Sequence, residues 1–462
     1  MTSPHPTPYA SVLDTIGQTP LIRLSRIASG LRTPIYGKAE YANPGGSVKD
    51  RIGLAIIEGA EKSGELKPGG TIVEGTSGNT GVGLAIAAAI KGYRCIFTMP
   101  DKMSQEKVRL LKAYGAEVVI TPTAVPPDHP ENYVMKAKQI VHDTPGAVLA
   151  NQFYNQLNPE AHYATTGPEL WAQTDGKITH FVASAGTGGT VSGTGKFLKE
   201  RNSKIRVIAG DPVGSLYTNY HRTGTLGTDG APYKVEGIGG DKAPTAVWWD
   251  LIDEFRQVSD KDAMATARRM AREEGILVGG SAGLNVFLAM QLARELDDPS
   301  ACIVTILCDT GERYLSKLFN DEWMQENQLL DTPKRTVSDL LARRTGGAPP
   351  LVQLAPAAQV RQALNLMSTW DVSQLPVIEN GVCIGSLAEA HLMTIALEQP
   401  ALLDRPVREV MDAPFPTVET TLTVDHLAQM LTRETPAALV TEGGALVGIV
   451  SRYDVLQLMI GR

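Results

Sequence analysis

The sequence offers little to a polyanion, a membrane or a metal. Its 462 residues hold 43 Lys and Arg against 50 Asp and Glu, a net charge of −7. Without a basic excess, nucleic-acid binding is not expected. No apolar run reaches the roughly 18 residues of a membrane span, and the first residues have neither the basic nor the apolar stretch of a leader, so a cytoplasmic protein is expected. Only four cysteines occur, Cys95, Cys302, Cys308 and Cys383, each inside an apolar run and none in a C-x-x-C pair. They read as buried thiols in a reducing compartment. The eight histidines show no H-E-x-x-H spacing, so no metal site is expected. Neither the G-x-G-x-x-G dinucleotide pattern nor the Walker G-x-x-x-x-G-K-[ST] string is met.

What is present is a long alternation. From about Asp14 to Phe319, β-branched runs such as "TIVEG", "RCIFTMP" and "HFVASAG" precede Ala-rich helical runs, with glycines between them. This predicts an open α/β sheet of mostly parallel strands, whose ligands gather where strands end and helices begin. A polar stretch, 321–335, reads as a linker. Beyond it the chain repeats itself: Val337 and Leu340 match Val407 and Val410, and "PVIENGVCIGSL" matches "LVTEGGALVGIV". The expected organisation is a first domain over 1–320, the linker, and two repeats over 336–396 and 405–462. Each repeat is too short to cover a sheet alone, so the two should pack together.

The chemistry is concentrated in four glycine-rich turns. Asn43-Pro44-Gly45-Gly46-Ser47-Val48-Lys49 runs into a helix, where the helix dipole favours a neutral amine ready to attack a carbonyl. The same string also suits a solvated surface lysine. Ser184-Ala185-Gly186-Thr187-Gly188-Gly189-Thr190 opens a helix with backbone N–H groups and hydroxyls, a phosphate cradle without a fixed cation, or else plain turn punctuation. Glu74-Gly75-Thr76-Ser77-Gly78-Asn79-Thr80-Gly81 suits a carboxylate, with Asn79 free to bond a ring oxygen, or is an ordinary N-cap cluster. In Gly279-Gly280-Ser281-Ala282-Gly283 the serine is a lone hydroxyl or a helix cap.

In this order and spacing, "NPGGSVKDR", "EGTSGNTG", "SAGTGGTVSG" and "GGSAG" resemble the β-family, or fold type II, of pyridoxal phosphate (PLP) enzymes over about residues 10–320. The resemblance implies an α/β core of two open subdomains, and the C-terminal repeat is similar to a pair of CBS (βαββα) domains. It implies that Lys49 carries PLP as a Schiff base, that Asn79 bonds the 3′-oxygen and that Gly186, Thr187, Gly188, Gly189 and Thr190 hold the phosphate. Thr76, Ser77, Thr80 and Gln152 would take the substrate carboxylate. Ser281 would face the pyridine nitrogen, leaving it unprotonated and suiting the ring to elimination and replacement.

Within the family, "DPVGS", "VEGIGGDKAP" and the C-terminal repeat resemble the cystathionine β-synthase branch. That implies condensation of L-serine with L-homocysteine to cystathionine and water, with sulfide release from cysteine as a side reaction. Asp241 is a candidate for the homocysteine amine, or a loop cap. Gly240 stands where several family members carry a tyrosine. No heme is expected, since the N-terminus lacks the Cys/His extension of the animal type. The implied partners are small amino acids, a second copy in a homodimer, and further copies in a tetramer through the repeat module. Paired domains of this type commonly hold an adenosyl ligand with Gly-h-h-[Ser/Thr]-x-x-Asp, where h is an apolar residue; the second copy keeps this at Ser451 and Asp454, while the first has Ala388 and His391. Two other readings stand beside this one: a cysteine synthase with a regulatory module, and an adenosine-nucleotide sensor.

Overall fold

The computed structural model describes residues 8–76, 78–101, 103, 105–126, 128–330, 335–342 and 349–459. The chain divides into two units, Met1–Asp331 and Thr332–Arg462. Among the described residues no helix is long and apolar enough to cross a membrane.

The first unit carries two sheets. Its strands are β1 (Leu21–Arg23), β2 (Ile35–Ala39), β3 (Thr71–Gly75), β4 (Arg94–Pro100), β5 (Glu117–Thr121), β6 (Ala147–Leu149), β7 (His180–Ser184), β8 (Arg206–Pro212), β9 (Glu254–Val258) and β10 (Ile303–Leu307). The larger sheet runs β1-β2-β10-β7-β8-β9 and the smaller β5-β4-β3-β6. Every pairing is parallel except β1 with β2. Successive residues of one strand feed opposite cores: Phe181 and Ala183 of β7 enter one cluster and Val182 the other. Helices therefore cover both faces, which is why these strands read as continuous apolar runs.

The stretch expected to be a linker begins as structure. Asp321–Glu326 is a helix, and Met324 and Leu329 are buried in the core of the larger sheet. The polar residues around them hid two core anchors from a composition-based reading. A fragment ending at Asp331 should therefore fold with its cleft complete. One ending at residue 320 should lose the burial of both side chains, about 1.5–3 kcal/mol each. Thermal melting of the two fragments checks this: equal midpoints would show that the 321–330 segment contributes nothing.

In the second unit the repeats are visible as matched hairpins. The strands β11 (Gln374–Glu379) and β12 (Val382–Ala388) pair antiparallel, as do β14 (Ala437–Glu442) and β15 (Ala445–Ser451), with β13 (Thr417–Glu419) parallel to β14. Each hairpin turns on two residues of positive φ, Asn380-Gly381 and Gly443-Gly444, and each carries a register shift at the same place, Val377/Ile378 and Val440/Thr441. The copies are interlocked. Val337 and Leu340, at the start of the first repeat, are buried in the core of the second, while Val407 of the second is buried in the core of the first. The sequence boundaries at 336–396 and 405–462 thus differ from the boundaries in space, because each repeat lends its first turn to its neighbour.

Candidate active site

A cleft of about 280 Å³ lies in the first unit where β3, β7 and β10 end. Lys49 is the first residue of helix Lys49–Ser63. The chain before it is pinned to the end of β10: Val48 N–H donates to the Cys308 carbonyl at 2.9 Å and Thr310 N–H to the Gly46 carbonyl at 3.0 Å. Desolvation holds the Lys49 amine below the usual lysine range, although Cys308, Asp309 and Glu40 act in the opposite sense. Helix Lys49–Ser63 crosses helix Asn79–Lys91 with backbone in contact, and a Cβ on Gly53 would lie 2.3 Å from the carbonyl carbon of Gly83. That crossing sets the two helix starts, Lys49 and Asn79, beside one cleft.

The turn after β7 is built to stay small. A Cβ on Gly186 would meet the Gly237 carbonyl oxygen at 2.2 Å, and Gly188, at φ +87°, would drive one into Val247 at 2.1 Å. Helix Gly189–Arg201 begins there, and the first N–H groups of a helix have no partner within it. Asn158 Nδ2 donates to Thr187 Oγ1 at 2.9 Å, and Thr190 Oγ1 lies 3.2 Å from His162 Nε2. Burial first, then Arg51 and Lys49, push His162 well below the ordinary histidine range, so it meets the threonine as a neutral ring. Oriented N–H groups and neutral hydroxyls make a donor set for a phosphate, and Ser184 adds a buried hydroxyl in hydrogen-bonding reach of Cys308.

After β3, Thr80 Oγ1 donates to Gln152 Oε1 at 2.6 Å, and the Asn151 and Gln152 N–H groups donate to Glu74 at 2.7 and 3.3 Å. Burial raises the Glu74 carboxyl to about 7. Ser281 lies inside helix Gly280–Leu296, whose N-cap is Gly279, so its hydroxyl is not the cap and faces the cleft. It lies in hydrogen-bonding reach of Cys308, whose thiol burial pushes up to about 11.

The cleft thus brings together Lys49, Thr76, Asn79, Thr80, Gln152, Gly186, Thr187, Gly188, Thr190 and Ser281. Ser77 lies outside the described residues. Gly189 packs against Asn158 without lining the cleft. Asp241 is exposed and away from the lining, which that loop supplies through Glu236 to Gly239. At Gly240 a Cβ would meet Tyr217 Oη at 2.6 Å, and that hydroxyl donates to the Gly186 carbonyl at 2.9 Å. The tyrosine beside position 240 is therefore one from helix Tyr217–Thr223. In the second unit, Ser451 donates to Asp454 Oδ2 through N–H and Oγ, both at 2.7 Å.

The sequence reading passed over Lys107, Tyr133, Glu236, Cys308, Asp309 and Tyr314, all of which line the cleft. Cys308 and Asp309 follow β10 directly, and the strand-end logic applied to the other turns reaches them too. Lys107 differs from Lys49 in being ion-paired, with Glu236, which Lys317 also contacts at 2.6 Å.

A model of the family described as pyridoxal-phosphate dependent enzyme matches residues 12–309, and the CBS domain matches 337–398 and 407–461. A cystathionine beta-synthase of Dictyostelium discoideum is 36% identical, covering 97% of this chain and 92% of that protein. A cysteine synthase of Staphylococcus aureus is 45% identical over 67% of this chain and 96% of its own length. The crystal structure of an O-acetylserine dependent cystathionine beta-synthase from Helicobacter pylori superposes with a TM-score of 0.61 at 36% identity, covering 68% of this chain and 99% of that one. An amine held toward neutrality, a phosphate cradle and a lone hydroxyl around one cleft agree with these matches: the chain belongs to the pyridoxal-phosphate dependent enzymes, in the cystathionine beta-synthase family with its pair of CBS domains.

Proposed function

We propose that the protein condenses L-serine with L-homocysteine to L-cystathionine and water, with PLP held through Lys49. The observation that carries this is the convergence in one cleft of a desolvated Lys49 with the 186–190 cradle and the Asn79 helix start. Gly186, Thr187, Gly188 and Thr190 hold the phosphate, Asn79 the ring oxygen, Ser281 the ring nitrogen, and Thr76, Thr80 and Gln152 the substrate carboxylate. Bound PLP supplies a conjugated ring that accepts the electrons left on the substrate α-carbon. Lys49 Nζ takes the α-proton and, as ammonium, protonates the departing serine hydroxyl. Neutral again, it takes the thiol proton of homocysteine as the sulfur replaces that hydroxyl and delivers this proton to the α-carbon. Ser281 offers the ring nitrogen a neutral partner, which keeps the chemistry on replacement. The same reading takes the protein as a cytoplasmic homodimer, which light scattering of the purified protein measures.

Product analysis of the holoenzyme tests the assignment. Serine with homocysteine should yield cystathionine. Turnover confined to O-acetylserine with sulfide would replace the assignment with cysteine synthase, the reading favoured by the 45% identity to the staphylococcal enzyme. O-acetylserine with homocysteine is the third arm, because the Helicobacter protein is named for that donor.

For the CBS pair we propose at most one adenosyl site per chain, at Ser451 and Asp454. In the first copy Ala388 has no hydroxyl, and His391 is bonded to Asp412 at 2.9 Å. A neutral imidazole cannot accept two ribose hydroxyls as a carboxylate can. Calorimetric titration with S-adenosylmethionine, ATP and AMP should give a stoichiometry of one or less, abolished by Asp454→Ala. Two tight sites, or binding undiminished in that variant, would overturn this.

A further inference from the structure

Asn79 sits at a helix start with both ends of its amide engaged. Its Nδ2 donates to Asp309 Oδ2 at 2.7 Å, and its Oδ1 accepts from Arg313 Nη1. A carboxylate only accepts and a guanidinium only donates, so the two partners together fix which end of the amide is nitrogen. One N–H is used on Asp309, and the second remains for whatever enters the cleft. Asp309 is itself held: Tyr314 Oη donates to the same Oδ2 at 2.7 Å, and the carboxylate is 1% exposed. Its Oδ1 is buried with no hydrogen-bond partner. Such a carboxylate is costly to keep unless it does something a neutral side chain would not.

We propose that Asp309 is a positioning residue which, with Arg313, locks the Asn79 amide so that an N–H donor faces the cofactor's ring oxygen. This rests on the reading of Asn79 as the partner of that oxygen. A donor at that place stabilises the ionised oxygen, and an ionised oxygen on a conjugated ring absorbs at longer wavelength than its protonated form. The orientation of one amide therefore sets the resting colour of the enzyme. Arg313 also donates to the Gly45 carbonyl, so the same guanidinium ties the Asn79 helix to the turn that delivers Lys49.

Asp309→Asn separates this from a merely structural role. The substitution keeps the shape, and with its amide nitrogen at the place of Oδ2 it donates where Tyr314 and Asn79 now both donate, so the Tyr314 bond reverses and the Asn79 amide can turn over. The ratio of visible to near-ultraviolet absorbance of the holoenzyme should fall, and PLP should dissociate about tenfold more readily, the size of one charge-assisted hydrogen bond. In an Asn79→Ala background Asp309→Asn should change neither quantity further, since the two act through one contact. An unchanged band ratio in the single variant would overturn the proposal. So would an equal change in both backgrounds, which would mean that Asp309 acts by its charge on Lys49. If Asn79→Ala alone leaves spectrum and affinity at wild-type values, the assignment of Asn79 itself falls. Arg313→Met frees the other end of the same amide and should lower the band ratio too, which keeps the test open should Asp309→Asn fail to fold.

Discussion

Lys49→Ala should abolish turnover, by about 10⁴-fold or more, and with it the covalent attachment of PLP, although some cofactor should still bind in the cradle. Among the described residues, Lys38, Lys49 and Lys107 are the lysines that are buried or line the cleft, and the structure distinguishes them. Lys107 lines the cleft, but its Nζ is engaged in an ion pair with Glu236 and is not free to reach a ligand. Lys38 is also held below the usual lysine range by burial, but it bonds Glu169 at 2.6 Å and does not line the cleft. Only Lys49 combines access to the cleft with a desolvated amine and no ion-pair partner among the described residues. Borohydride reduction followed by peptide mapping should place the label on Lys49. A label on Lys107 would overturn the assignment outright, and residual turnover above one part in a thousand in Lys49→Ala would show that another base serves.

The turns that carry this chemistry were readable in the sequence because they are local. A strand, a glycine-rich corner and a helix start lie within about ten residues, and each corner was placed at the cleft by the parallel sheet rule. The repeat was readable for the same reason, through two glycine hairpins. What escaped reading depends on residues far apart in the chain. Asp309 reaches Asn79 across 230 positions, and Arg51 reaches Glu169 across 118. The exchange of Val337 and Val407 between the two CBS cores leaves no local mark, since either residue would look the same buried in its own repeat. Met324 and Leu329 were masked by polar neighbours that face away from the core. Asp241 illustrates the converse: a residue adjacent to the lining in sequence is turned outward where Gly237 and Gly239 adopt positive φ.

Glu169→Gln should destabilise the first unit by about 3–5 kcal/mol, the cost of leaving buried cations without their anion. Lys38, Glu40, Arg51 and Glu169 form a closed set of two cations and two anions with side chains at most 6% exposed. Arg51 donates to Glu40 from Nε and Nη2, both at 2.8 Å, and to Glu169 at 2.7 and 2.8 Å; Lys38 donates to Glu169 at 2.6 Å. Removing the Glu169 charge strands Lys38 beside Arg51 with only Glu40 to answer both. The set also anchors the first turn of helix Lys49–Ser63, two residues beyond Lys49. A melting midpoint lower by roughly 10 °C at neutral pH is expected. Turnover per folded molecule should stay near wild type, because none of the four side chains lines the cleft. The sign of the pH dependence follows from the carboxyl groups. Burial alone would raise Glu169, but the bonds from Arg51 and Lys38 hold it below the usual range, and Glu40 is likewise held low by Arg51 against burial. A depressed carboxylate stabilises the fold above its unfolded value of 4.5 and loses that stabilisation as pH falls through its folded value. Wild type should therefore lose stability on acidification below about pH 4.5, and Glu169→Gln should lose less over the same range, since its defect is already present at neutral pH. Denaturant midpoints at pH 7 and pH 4 measure both quantities. A variant that melts with wild type at pH 7, or that loses as much as wild type on acidification, would show that the network is not holding the fold.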